Sequence, residues 1–156
     1  MKLRWVLVAG LLALWTAGCA KDMSSLKAQL PRVGASDEER VAAVLDEVAA
    51  GMESRRIYQI LAHVSSSYLD QEGRDYEAIR EYLSYILRSY VEIKVTRTRP
   101  KILVLGDRAR AVETFGTIAQ PRDGRKDPPI NLQGQVAVYL ERADNTWQIV
   151  EWGPLR

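Results

Sequence analysis

Reactive side chains are scarce in this sequence. A single cysteine, Cys19, excludes a disulfide framework within the chain. One histidine, His63, leaves no His/Cys cluster that could hold zinc. There is no glycine-rich phosphate loop, no internal repeat and no low-complexity tract. Charge of one sign is missing too: 22 Lys and Arg stand against 20 Asp and Glu, which argues against a general nucleic-acid binder. No apolar run reaches the roughly 20 residues that a membrane span needs. What is present is 156 residues, 47% of them apolar. That is one domain's worth of chain with material for a core, too charged for a multi-span membrane protein and too apolar for a disordered one.

The first residues have their own pattern. Lys2 and Arg4 are followed by an apolar stretch from Trp5 to Trp15 broken only by Gly10, and then by the small residues Thr16, Ala17 and Gly18 before Cys19. A basic start, a short apolar stretch and a small-residue cleavage site describe an export signal. The ending Thr16-Ala17-Gly18-Cys19 resembles the lipobox of bacterial lipoproteins: Ala17, Gly18 and Cys19 match it, and Thr16 stands where Leu is usual. The resemblance implies removal of residues 1–18, acylation of Cys19 and a bilayer as partner. Each buried CH₂ of an acyl chain contributes about 0.8 kcal/mol, so several chains hold a protein firmly where one does not. Ala20, rather than Asp, directly after the cysteine implies the outer membrane, facing the periplasm. Loss of Lys2 and Arg4 brings the 22 basic residues to 20, equal to the acidic ones.

Residues 19–35 read as the lipidated cysteine and a flexible tether, with Ser24, Ser25, Pro31 and Gly34 and no sustained apolar period. Such a length spans roughly 20–24 Å as a coil. Residues 36–156 read as one domain. Ser36 and Glu39 form a capping box ahead of a helix with Val41, Val44, Leu45, Val48 and Met52 at helical spacing. Gly51 marks a break or a tight approach to a neighbour. A second helix is expected over Ser54–Val64, with Ile57, Ile60, Leu61 and Val64 on one face. Asp75 caps a third, whose stripe is Ile79, Tyr82, Leu83, Ile86, Leu87 and Tyr90.

After Tyr90 the period becomes two. Val91, Ile93 and Val95 alternate with Glu92, Lys94 and Thr96, and Ile102–Leu105 continues the same bent strand past Pro100. Further strands are expected over Ala109–Ala119, Ile130–Ala143 and Thr146–Trp152, with turns at Gly106-Asp107 and Asp144-Asn145. The expected fold class is α+β: three N-terminal helices packed on a curved antiparallel sheet of about four strands. This element order, the Ser67-Tyr68-Leu69-Asp70 stretch and the closing Thr146–Trp152 segment resemble the nuclear transport factor 2-like superfamily, the cone-shaped fold of ketosteroid isomerase and scytalone dehydratase. The resemblance implies a concave interior and a homodimer formed through the outer sheet face. It does not imply one function, because members include enzymes, carriers and scaffolds.

Within that frame the chemistry-bearing residues can be weighed. His63 and Asp70 are the candidates for a cavity base; a helix-end histidine and a turn aspartate are the plainer alternatives. Asp70, Glu72, Asp75 and Glu77 crowd one turn but lack a cation-loop spacing, and no metal or cofactor is expected. Tyr58, Tyr82, Phe115, Tyr139, Trp147 and Trp152 are candidates for the wall of a pocket suited to a small amphipathic ligand. Lys94, Arg97, Arg99, Lys101, Arg108 and Arg110 gather around the first hairpin, either as a patch for anionic surfaces or as a solvated strand face that discourages edge pairing. The expectation is a membrane-tethered periplasmic domain that binds a ligand or an envelope protein without catalysis. A small isomerase-, dehydratase- or hydrolase-like enzyme and an envelope assembly protein are the alternatives.

Overall fold

In the computed structural model, residues 34–154 are described; the expected leader, Cys19 and the expected tether up to residue 33 lie outside the described residues. Helix α1 (Asp37–Glu53) starts at the capping box seen in the sequence. The Ser36 hydroxyl accepts from the Glu39 amide at 3.2 Å, and the Glu39 carboxylate accepts from the Ser36 amide at 3.0 Å. Its stripe of Val41, Val44, Leu45 and Val48 is buried. The helix passes through Gly51 unbroken, because Gly51 serves a close approach: a Cβ there would lie 2.7 Å from Ile60 Cγ1.

Helix α2 (Ile57–Leu61) is shorter than its apolar spacing suggests. From His63 onward the backbone keeps only short local turns of its own and is tied to the sheet. Ile149 N donates to His63 O at 2.7 Å, Ser65 N to Ile149 O at 2.9 Å, and Leu69 N to Val150 O at 3.0 Å. These tertiary bonds satisfy the groups that a longer helix would have used. Asp75 accepts from Ala78 N at 2.9 Å and caps helix α3 (Tyr76–Ser89), which runs straight into the sheet.

Five antiparallel strands follow: β1 (Tyr90–Arg97), β2 (Lys101–Leu105), β3 (Arg108–Pro121), β4 (Ile130–Ala143) and β5 (Thr146–Pro154). The order is β1-β3-β4-β5, and β2 also pairs with β3. β1 and β2 lie end to end on one edge of β3, joined by Thr98, whose amide donates to Thr114 O at 2.9 Å. The single bent strand expected there is therefore two, interrupted before Pro100, and the sheet has five strands rather than about four. β1 also carries a bulge between Val91 and Lys94, with Glu92 at φ 52°. The bulge buries Tyr90 and Ile93 and leaves Val91 half-buried, so the simple alternation expected from Val91 is offset by one residue.

β3 and β4 pair without a break from Arg108↔Glu141 to Ala119↔Ile130. β4 turns into β5 through Asp144 and Asn145, both at positive φ (48° and 63°), as a two-residue hairpin turn requires. The inward faces of Ala109, Ala111, Val138, Leu140, Trp147 and Ile149 share one core cluster with the α1 stripe. Burying each large side chain there contributes about 1.5–3 kcal/mol. Trp147 Nε1 donates to Asp37 Oδ1 at 3.3 Å, and Arg142 Nη1 to Asp37 Oδ2 at 2.9 Å, tying the start of α1 to the β4–β5 hairpin.

Candidate functional site: an amphipathic cavity

Helix α3 has the sharpest apolar stripe of the three helices, yet it fully buries only Leu87. Ile79, Leu83 and Ile86 are half-buried because they face a hollow instead of a packed partner. The hollow has a volume of about 520 Å³, inside the range typical of ligand pockets. Its remaining walls come from Val48, Met52 and Ile60 of the first two helices and from Val95, Phe115, Ile130 and Trp152 of the sheet. Phe115 pairs directly with Gly134, which leaves room for the ring. Tyr82 and Leu132 border the cavity at 48% and 55% exposure and so mark its mouth. The β3–β4 loop is held to the end of α3: the Tyr85 hydroxyl donates to Asp127, Tyr90 Oη to Pro128 O at 3.0 Å, and Arg122 N to Ser89 O at 2.7 Å.

Two ion-paired groups border this largely apolar space, which Thr117, Gln133 and Gln135 also line. Glu113, 4% exposed, is held by Arg97 through Nε at 3.1 Å and 3.0 Å to its two oxygens and through Nη2 at 2.7 Å; Arg97 Nη1 donates to Asp46 at 2.8 Å. Burial works against the charged guanidinium, and the carboxylate of Glu113 outweighs it, so the pKa of Arg97 is raised. The second is a Tyr68–Asp70–Arg74 group. Asp70 Oδ1 accepts from the amides of Glu72 at 2.9 Å and Arg74 at 3.0 Å; Oδ2 accepts from Arg74 Nε at 2.7 Å and Tyr68 Oη at 3.3 Å. Burial alone would raise the pKa of Asp70, but the amide and guanidinium of Arg74 and the amide of Glu72 outweigh it and hold the carboxyl below its usual range. Burial, then the neighbouring Asp70 charge, pushes the Tyr68 phenol up.

The sequence-level candidates separate cleanly. Tyr82, Phe115 and Trp152 line the cavity. Tyr58 does not: it is 85% exposed on α2. Tyr139 pairs with Arg110 on the outer sheet face and lies under its guanidinium. Trp147 is a core residue beneath Arg142. Asp70 stands behind Tyr68 and Arg74, which do reach the cavity. His63 is not part of the wall; its Nδ1 is buried with no partner among the described residues, and burial, opposed in part by Glu47, lowers its pKa. Arg97 is corrected from the basic patch to the interior. The missed wall residues are Tyr68, Arg74 and, above all, Glu113. Its signal was phase: it alternates with Ala109, Ala111, Phe115 and Thr117, so a carboxylate sits in register with an inward face.

No protein-family model matches this sequence, and no curated protein is similar to it at the sequence level. Solved structures are similar in architecture. A nuclear transport factor 2-like superfamily protein from Salmonella enterica serovar Typhimurium superposes with a TM-score of 0.63 at 15% identity, covering 76% of this chain and 92% of that one. This is the nuclear transport factor 2-like fold. Within it, a Novosphingobium aromaticivorans protein named provisionally as a scytalone dehydratase gives 0.64 at 13% identity over 75% of this chain and 83% of its own. A type 2 hexachlorocyclohexane dehydrochlorinase gives 0.59 at 14% identity over 75% and 88%. At such identities the nuclear transport factor 2-like likeness is one of fold, and the site must speak for function.

Proposed function

We propose that this protein is a lipid-anchored binding protein of the bacterial cell envelope, held on the outer membrane by acylated Cys19 and carrying a small amphipathic molecule in its cavity. The observation that supports binding is the cavity itself: mostly apolar walls around a volume of about 520 Å³, with Tyr68, Arg74, Arg97 and Glu113 among its few polar groups. Those groups are engaged with one another. Asp70 receives four donors, so its lone pairs are committed and its proton affinity is depressed, the opposite of what a general base needs. The lipobox-like Thr16–Cys19 stretch supports the anchor.

An enzymatic reading draws on the dehydrochlorinase and the provisionally named dehydratase among the structural neighbours. It would require a base at the cavity, and among the described residues the one cavity carboxylate outside the Asp70 cluster, Glu113, is clamped by Arg97. A second copy is the partner proposed for the outer sheet face, where Leu103, Leu105 and Ile118 are exposed.

Mild extraction followed by native mass spectrometry tests the reading. The expected result is a mass increment from acylation at Cys19 and a releasable small molecule that is absent from Leu83→Phe protein. An unmodified thiol would overturn the anchor. An empty protein that also fails to take up a neutral fluorescent amphiphile would overturn the binding reading.

A further inference from the structure

The charges around the cavity select its ligand. We propose that the cavity takes an amphiphilic amine, a protonated nitrogen on an apolar body, and rejects amphiphiles with anionic heads; this rests on the binding reading above. Among the described residues, the cavity wall includes two cations, Arg97 and Arg74, and no lysine. Each already faces two carboxylates. Arg97 is bonded to Glu113 and Asp46, and Arg74 to Asp70 at 2.7 Å and Glu72 at 3.1 Å. Neither arginine has a charge left over for a carboxylate, sulfate or phosphate head. An anion entering beside Arg97 would meet Glu113, which is almost fully desolvated, and in such a place like-charge repulsion is screened least.

An ammonium group meets the reverse situation. It supplies up to three N–H donors, and a carboxylate carries about four acceptor sites. Glu113 receives three N–H contacts, all from Arg97, two of them on Oε2 and one on Oε1. Acceptor capacity therefore remains on a buried carboxylate at the cavity wall. The apolar body of the same molecule would lie against Ile79, Leu83, Phe115 and Trp152, the faces that the protein leaves uncovered. Selection here is by repulsion of the wrong head as much as attraction of the right one.

The test uses the full-length chain carrying Cys19→Ser, which lacks acyl chains that would take up probe, and displacement of the neutral probe N-phenyl-1-naphthylamine at neutral pH. Decylamine and decanoate share a chain and differ in head charge. Decylamine is expected to compete at least tenfold more tightly than decanoate. Glu113→Gln frees Arg97 from its buried partner and is expected to raise decanoate affinity and shrink that ratio at least fivefold. Equal competition, or decanoate the tighter, would overturn the charge selection while leaving ligand binding intact. Failure of the probe itself to bind would instead remove the binding reading, and this inference with it. The wild-type ratio does not depend on the variant folding.

Discussion

Along the inward face of β3, Ala109 and Ala111 sit in a closed core with Val138, Leu140 and Ile149, whereas Glu113, Phe115 and Thr117 a few residues on face the open cavity. The same two strands thus serve a packed half and a hollow half. In the packed half, the small alanines and the α1 stripe share one buried cluster, where close packing is the rule. In the hollow half, a large ring opposite Gly134, a buried ion pair and the half-covered stripe of α3 hold the walls apart. Along these two strands the cavity is therefore built by side-chain choice, without any change in the β3–β4 ladder.

Substitutions in the two halves sharpen that contrast. The largest effect is expected at the ion pair. Arg97→Met strands a buried carboxylate and should cost about 3–5 kcal/mol in denaturant unfolding, whereas the double change Arg97→Met with Glu113→Leu should recover most of it, because an apolar pair of similar volume is often neutral. A double variant as unstable as the single one would mean that the pair is not the cause. Ile149→Ala, in the packed half, should cost about 2–5 kcal/mol, while Leu83→Ala on the cavity wall should cost about 1 kcal/mol, since it enlarges a space that already exists. Overpacking gives a smaller effect with the same asymmetry. Ala111→Leu should destabilise by about 1–3 kcal/mol, and Leu83→Phe should leave stability within about 1 kcal/mol of wild type while displacing bound probe. Equal penalties in both halves would remove the distinction.

The smallest expected effect concerns His63, which belongs to neither half of the ligand site. Its folded pKa is lowered, so below the ordinary histidine value near 6.5 the unfolded chain takes up a proton that the folded one resists. Its contribution to stability is full above that value and declines as pH falls toward the folded pKa. His63→Gln should flatten the stability profile just below pH 6.5. Asp70, with a folded pKa also lowered, adds a second decline only near and below the ordinary aspartate value of about 3.9. An unchanged profile in His63→Gln would show that the half-buried ring is not protonated on unfolding.

Much of the fold could be read from local pattern. The α1 cap, the α3 cap at Asp75, both hairpin turns and the shift from helical to alternating period after Tyr90 are short-range signals, and each element is present. The site was legible in part. Tyr82, Phe115 and Trp152 fell on the wall because they were in phase with inward positions, but Tyr58, Tyr139 and Trp147 look alike in composition and went elsewhere. Arg97 looked like one member of a basic run, although its phase with Ile93 and Val95 points inward.

What the amino-acid order fixes by itself is the sequence of caps, turns and periods, because these depend on neighbours within a few residues. It also carries the lipobox-like stretch at Cys19. Three things are decided only by tertiary packing: where α2 ends, which is set by bonds from Ser65 and Leu69 to β5; the bulge at Glu92; and the meeting of Arg97 with Glu113 and Asp46 from three separate elements. The reason is physical. A buried charge needs a partner and an extended backbone needs a ladder, and both come from distant parts of the chain.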